Sequence, residues 1–313
     1  MISEKIGKIV KGVGGLYESR VIDENGIPYR ISCRAKGSLH REEEKLLVGD
    51  VVKITEDTET PDGISISELF PRKNELIRPP LSNLDYIFIV FAAKKPTPVI
   101  ETVDKLIAIA EHNGIAPVVV ISKSDLSKGA AEEYANIYTT AGIENFITSS
   151  DDKTGVAELK AYMEEKLTGG KTAAFAGASG VGKSTLINSL FEGLSLATSE
   201  ISKKIERGRH TTRHVELFEI NSSADTGFLA DTPGFSMLDL SRFDFFSLDE
   251  LEGAFRDFRA YRGKCKYADC AHYGEGEDEC AVMRAVKEGK IAKSRFDSYR
   301  AIYKTLKSKN FYD

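Results

Sequence analysis

No run of apolar residues in the chain approaches the ~18 that a membrane-crossing helix requires, so no transmembrane helix is expected. The opening residues, Met-Ile-Ser-Glu-Lys-Ile-Gly-Lys, lack both an apolar signal core and a cleavage site, and a cytoplasmic location without membrane partners is expected. An excess of basic residues is also missing. With 43 Lys and Arg against 48 Asp and Glu, the net charge of -5 argues against gripping a polyanion by bulk charge, although the sum can hide a local basic patch. Internal repeats and low-complexity tracts are absent. What remains, 41% hydrophobic and 29% charged residues, is the composition of a globular protein. At 313 residues the chain exceeds the length over which one core usually keeps growing, so two or three domains are expected.

Three segments follow from the patterning. Residues 1–72 read as short strands broken by turns, at 8–13, 29–33, 50–55 and 63–69, with apolar residues at roughly every second position. Five or six such strands suggest an all-β, OB-like barrel, a fold often used on RNA. Pro79 and Pro80 then interrupt the chain, because proline lacks a donor and disfavours a helical predecessor. Residues 80–240 alternate strand and helix (86–92, 100–112, 117–121), the rhythm of an α/β domain with a parallel sheet. Residues 241–313 carry helical patterns at 247–258, 281–290 and 294–307.

The sharpest motif runs from Gly177 through Ala178, Ser179, Gly180, Val181, Gly182, Lys183 and Ser184 to Thr185, between a strand-like segment and a helix-like one. That context is a P-loop. Glycines let successive backbone N–H groups turn toward phosphate oxygens, Lys183 reaches the β and γ phosphates, and Ser184 ligates Mg²⁺. Downstream, Asp231 ends an apolar strand and is followed by Thr232, Pro233 and Gly234. Asp231 is expected to hold a metal-bound water, and the Gly234 amide to meet the γ-phosphate. The polar stretch 208–213 lies between them, and Thr211 or Thr212 is expected to complete the Mg²⁺ shell from a switch loop.

Selectivity for the base is read upstream, where Ser122, Lys123, Ser124 and Asp125 follow an apolar run. A carboxylate at Asp125 accepts both N1–H and the exocyclic amine of guanine, whereas adenine presents a lone pair at N1. Ser149, in a Thr-Ser-Ser loop, is expected to add contacts to the base. Ser124 or Asp125 capping the next helix is the plainer alternative. The base-reading residues precede the P-loop, the reverse of ordinary small GTPases, so the domain is expected to be circularly permuted. A compact α/β domain tolerates this because its ends lie close together. The rotation leaves the switch motifs near the domain's end, where nucleotide state is expected to move the third segment.

Cys265, Cys270, His272 and Cys280 suit a tetrahedral, structural Zn²⁺ that closes a small polar segment; disulfides are the alternative. Cys33 sits in a strand pattern and reads as a core residue. Arg256, Arg259, Arg262, Lys264 and Lys266, interleaved with Phe258, Tyr261 and Tyr267, suit either RNA or a solvated helix face.

Together these residues resemble the circularly permuted, ribosome small-subunit-dependent GTPases of bacteria: an OB-like start with Gly49-Asp50 and Pro71-Arg72, permuted GTPase motifs, and a Cys-Cys-His-Cys cluster. The resemblance implies a permuted P-loop GTPase domain between an OB-like barrel and a helical zinc-binding domain. It also implies a monomeric factor that uses GTP and Mg²⁺, docks on the 30S subunit late in assembly, and sets its flanking domains on 16S rRNA. An RNA-binding scaffold with a structural nucleotide and an ATP-dependent P-loop kinase are the alternatives. Two features depart from the family: Ser122 stands where Asn is usual, which is expected to loosen the base site or its contact with the P-loop, and the interval from His272 to Cys280 is longer. Phe235 follows Gly234 where many GTPases place a water-orienting Gln. By elimination and by likeness to the family, His210 is the candidate for that catalytic role.

Overall fold

The computed structural model describes residues 2–36, 45–57, 63–191, 215–231 and 245–309, with the backbone alone at Ile2 and Asp231. By contact the chain forms two compact units, one of residues 1–85, 160–175 and 191–235, the other of residues 86–159, 176–190 and 236–313.

The first unit holds a closed five-stranded barrel. Its strands are β1 (Ile2–Val13), β2 (Leu16–Ile22), β3 (Pro28–Ala35), β4 (Val51–Asp57) and β5 (Ile64–Leu69). They run in the order β1-β2-β3-β5-β4, and β4 pairs back onto β1. Alternation places Ile31 and Cys33 inward on β3 while Ser32 and Arg34 face out, and Ile9, Val52, Ile54 and Ile66 complete an apolar centre. Cys33 is a buried core thiol, as its pattern suggested. β2 escapes a hydrophobicity pattern because two of its buried residues are polar. Ser19 Oγ meets Cys33 Sγ at 3.8 Å, and Arg20 pairs with Glu219 and donates to the Ser223 and Ala224 carbonyls. The wholly buried Asp50 pins the turn before β4: its carboxylate accepts from Arg72 Nε (2.7 Å), Arg72 Nη2 (2.8 Å), Leu47 N (2.7 Å) and Ser82 Oγ (2.6 Å). A small hairpin, β6 (Glu75–Leu76) with β7 (Leu81–Ser82), follows.

In the second unit, β8 (Tyr86–Ala92), β9 (Ala116–Ser122) and β10 (Glu144–Ile147) pair in parallel. Almost every residue of β8 and β9 is buried, as expected of strands covered on both faces. Helices α1 (Ile100–His112) and α2 (Lys128–Thr140) make the crossovers, and α3 (Val156–Lys166) follows β10. The chain re-enters the first unit at Lys160, within α3, runs on into β11 (Thr172–Ala176), forms α4 (Lys183–Leu190) in the second, and adds β12 (Glu216–Glu219) and β13 (Phe228–Asp231) to the first. There β11 and β13 are parallel, β12 is antiparallel to β13, and Lys11 on β1 registers with Glu216 on β12.

The last part of the second unit departs from the expected pattern at one place. Residues 247–258 are turns and short 3₁₀ segments, Glu252–Ala254 and Arg256–Tyr261, in place of an α-helix. Phe255 has extended backbone between them, and both Phe255 and Phe258 pack inward on Tyr299, with ring centroids 5.3 and 4.8 Å away. The extended backbone at Phe255 interrupts the ladder that a continuous α-helix would need, and both rings still reach Tyr299. Beyond it lie α5 (Ala281–Lys287) and α6 (Lys293–Lys309). Among the described residues no helix is long and apolar enough to cross a membrane.

Candidate functional site

The glycine-rich turn leaves β11 and enters α4 within the second unit. Gly177 has φ +142°, and a Cβ there would lie 2.1 Å from the Val90 carbonyl oxygen, so only glycine lets the turn pass so close to β8. Ala178, Ser179, Gly180 and Thr185 are exposed, Ser184 is half-buried and Val181 is buried. Lys183 Nζ folds over the turn and donates to the carbonyls of Gly177 (2.7 Å) and Ala178 (2.7 Å). Burial draws its ammonium below the ordinary lysine range, and among the described residues no carboxylate pairs with it. An ammonium held only by carbonyls of its own loop is a charge that a phosphate can take over.

The upstream motif meets this turn. Ser122 Oγ donates to the Val181 carbonyl at 2.6 Å and approaches the Phe91 carbonyl at 3.1 Å. The short side chain therefore still makes the P-loop contact. Lys123, in the left-handed conformation at φ 55°, donates to the carbonyls of Gly180 (2.6 Å) and Lys95 (2.9 Å). Asp125 is exposed on the 3₁₀ turn Ser124–Leu126, and Ser149 Oγ donates to its Oδ1 at 2.8 Å. Asp125 is thus exposed and oriented by Ser149, and the cap position of α2 is Ser127 rather than Ser124 or Asp125.

The loop behind Ser149 is tightly built. Thr148 N bonds the Ile121 carbonyl, Ser124 N bonds the Thr148 carbonyl, and Ser149 N bonds the Thr154 carbonyl. Gly155, at φ +64°, passes the Ile147 carbonyl so closely that a Cβ would lie 1.9 Å from it. The structure thus brings together Ser122, Lys123, Asp125, Ser149 and the residues 177–185. It adds the carbonyls of Val90, Phe91 and Lys95, which no residue-type signal could have announced because every residue carries a carbonyl. His210, Thr211, Thr212 and Gly234 lie outside the described residues. Asp231 ends β13 in the first unit, and its side chain also lies outside them.

A second cluster is formed by Cys265, Cys270, His272 and Cys280, whose ligand atoms all lie within 4.8 Å of one another. His272 Nδ1 is 3.6, 3.4 and 3.3 Å from the sulfurs of Cys265, Cys270 and Cys280, and the Cys265 and Cys280 sulfurs are 4.0 Å apart. Tetrahedral zinc with its usual bond lengths sets nitrogen–sulfur edges of about 3.5 Å and sulfur–sulfur edges of about 3.8 Å, so the four donors fit. All four cysteines are unpaired in the structure, and the three in the cluster turn their sulfurs toward the histidine rather than joining two of them. Backbone N–H groups of Ala281 and Met283 point at the sulfurs of Cys265 and Cys280, at 3.3 and 3.4 Å, as they do around metal thiolates. Burial raises the Cys270 and Cys280 thiols above the ordinary range, so a bound cation is what would favour their thiolates.

The neighbouring basic stretch is partly neutralised from within, by three acids. Arg256 and Arg259 both pair with Glu111 on α1, Arg262 pairs with Glu252, and Lys266 and Tyr267 share Glu279. Its aromatics divide between core and surface, with Phe258 wholly buried and Tyr267 exposed.

Comparison with known proteins gives a consistent result. Residues 69–241 match the family model described as RsgA GTPase, and residues 6–64 match the RsgA N-terminal domain. Two curated relatives are each named Small ribosomal subunit biogenesis GTPase RsgA. The one from Alkaliphilus metalliredigens is 38% identical, over 98% of this chain and 99% of its own length. The one from Caldanaerobacter subterraneus is 40% identical, over 97% of this chain and 96% of its own. Among solved structures, YjeQ from Thermotoga maritima superposes with a TM-score of 0.79 at 30% identity, covering 97% of this chain and 99% of that one. YloQ, described as a circularly permuted GTPase, gives 0.77 at 30% identity, covering 98% and 96%.

Proposed function

Because the chain belongs to the RsgA GTPase family, we propose that it hydrolyses GTP to GDP and phosphate while bound to the small ribosomal subunit during that subunit's maturation in the cytoplasm. One observation carries the guanine-nucleotide assignment. Ser122 and Lys123 are hydrogen-bonded to Val181 and Gly180, so a base-reading loop and a phosphate loop that occur in reversed order along the chain form one surface. A P-loop kinase reading has no use for Asp125 held outward by Ser149, and a purely structural nucleotide has no use for a switch loop.

In this reading Asp125 pairs with the guanine edge, Ser149 orients that carboxylate, and Lys123 braces the P-loop beneath the base. Gly177, Ser179, Gly180, Val181, Gly182 and Thr185 surround the phosphates, and Lys183 leaves its two carbonyls to bind the β and γ oxygens. Ser184 and Asp231, with Thr211 or Thr212, would hold Mg²⁺, which neutralises charge on the phosphates. Gly234 meets the γ-phosphate, and His210 orients water once the protein is docked. The segments 1–72, 80–240 and 241–313 act as RNA-binding barrel, GTPase domain and zinc-bearing helical domain of a monomer, with Cys265, Cys270, His272 and Cys280 holding one structural Zn²⁺. The flanking segments contact 16S rRNA.

GTP turnover with and without purified small subunits tests the proposal. Acceleration by the subunit is expected, and its absence would favour the scaffold reading. His210→Ala should lose most of that acceleration while GTP binding is kept. Asp125→Asn should move preference from GTP to xanthosine triphosphate, and unchanged preference would remove Asp125 from the base site.

A further inference from the structure

One atom of the Cys and His cluster has no task. His272 turns Nδ1 to the three sulfurs, which leaves Nε2 on the far side of the ring, and Nε2 is buried with no hydrogen-bond partner among the described residues. The ring is set in place. His272 has left-handed backbone at φ 53°, Phe258 meets its ring edge-on with centroids 6.0 Å apart, and Tyr299 lies at 6.3 Å. Tyr299 Oη also donates to the Ala271 carbonyl at 2.8 Å, which ties down the residue before the histidine. Neither aromatic neighbour offers Nε2 an acceptor. A carboxylate stands just out of reach: Glu252 Oε1, in the 3₁₀ segment Glu252–Ala254, is 3.6 Å from Nε2, too far for a hydrogen bond.

We propose that Glu252 is a positioning residue of the metal site, its carboxylate accepting the Nε2–H of His272 when zinc is bound. The inference rests on the zinc reading of the four ligands and adds a fifth residue to it. A neutral imidazole has one N–H and one lone pair. A metal on Nδ1 takes the lone pair, so the proton must stand on Nε2, and a buried N–H without an acceptor bears its full desolvation cost. A carboxylate on the outer nitrogen removes that cost, fixes the tautomer and makes the inner nitrogen the better ligand.

Glu252 is free to close the gap. Its side chain is 28% exposed, and its oxygen accepts from Arg262 Nε at 3.3 Å, where Arg262 is 59% exposed, so the pair is a loosely held surface one. A movement of roughly 0.7 Å brings Oε1 into hydrogen-bond range of Nε2. Three thiolates outweigh the two charges of the metal, so the site is anionic before the carboxylate is counted. Arg262, on the same oxygen, offsets the added charge.

The test loads the full-length, reduced protein with Zn²⁺ and measures zinc affinity by competition with a chromophoric chelator, in wild type, Glu252→Ala and Glu252→Gln, each checked for native fold by circular dichroism. Glu252→Ala should bind zinc about ten- to a hundredfold more weakly. Glu252→Gln keeps an acceptor oxygen and should stay within about threefold of wild type. A second readout is local to the ring. In ¹⁵N-histidine-labelled protein, the resonances that change on zinc removal should show wild-type His272 metallated at Nδ1 with a slowly exchanging Nε2–H, and that proton should exchange faster in Glu252→Ala, which lower stability elsewhere would not mimic. Wild type that takes up no zinc overturns the zinc reading and this proposal with it. Zinc-binding wild type matched within about twofold by Glu252→Ala, or Glu252→Gln as weak as Glu252→Ala, overturns the proposal alone. Should Glu252→Ala not fold, the wild-type spectrum decides: metal on Nε2, or an Nε2–H exchanging as fast as that of a free imidazole, overturns it.

Discussion

Arg295 Nη1 donates to Asp104 Oδ1 at 2.8 Å, and neither side chain has any exposed surface. The same guanidinium donates through Nη2 to Asp257 Oδ1 at 2.8 Å and lies over the Phe255 ring at 4.7 Å. Three separate stretches of the second unit, α1, the 3₁₀ segment Arg256–Tyr261 and α6, therefore converge on one cation. The two carboxylates hold that cation charged despite its burial.

Removing one member of a buried ionic triad leaves uncompensated charge, a more severe loss than the pairing itself is worth. Arg295→Ala should lower stability by about 3–5 kcal/mol in urea unfolding. Arg295→Met combined with Asp104→Leu and Asp257→Leu should recover most of that loss. If the single and triple variants are equally unstable, shape rather than charge governs the site.

Ser122→Ala removes the donor that ties the upstream motif to Val181. A buried carbonyl left without its donor costs about 1–2 kcal/mol, which corresponds to roughly five- to thirtyfold if it falls on the nucleotide-bound state. Titration with a fluorescent GTP analogue should register the weakening, with circular dichroism unchanged.

Stripping metal should act on folding before chemistry. Four donors at tetrahedral spacing in a segment of turns give it little apolar core of its own, so a strong chelator should lower Tm by at least about 5 °C. Elemental analysis should find one zinc per chain in the untreated protein and less in Cys280→Ser. A metal-free protein with the same Tm as the untreated one would exclude a structural ion.

Burial gives Lys8, whose Nζ donates to the Gly170 carbonyl at 2.5 Å and to Thr172 Oγ1 at 2.8 Å, a pH signature. Its folded value of about 8 lies below the ordinary 10.5, so between those limits the unfolded chain binds more protons than the native one. Its contribution to stability therefore rises from pH 8 to 10.5 and is lost as pH falls through the folded value. Relative to Lys8→Met, the wild type should gain roughly 1–3 kcal/mol across that window, with solvent screening setting the lower figure. A difference independent of pH would mean that Lys8 titrates normally.

Residue type and spacing alone determined much of this protein. The P-loop, the reversed order of its base-reading partner, the alternating strands of the barrel and the three cysteines with their histidine are local patterns, and local patterns survive in one dimension because each residue type is demanded by a job done within a few residues. The helix expected at 247–258 is absent although its periodicity is real: Phe255 is extended between two 3₁₀ segments, and it and Phe258 pack on Tyr299, some forty residues on. The pairing of Glu111 on α1 with Arg256 and Arg259 likewise joins residues far apart in the chain, which the basic stretch by itself does not announce. Only the tertiary structure could reveal that Ser122 still reaches Val181, that Asp125 is turned outward by Ser149, and that Lys8 has carbonyl and hydroxyl neighbours. Each of these depends on atoms brought together from far along the chain, by burial and hydrogen bonding that no single stretch of sequence contains.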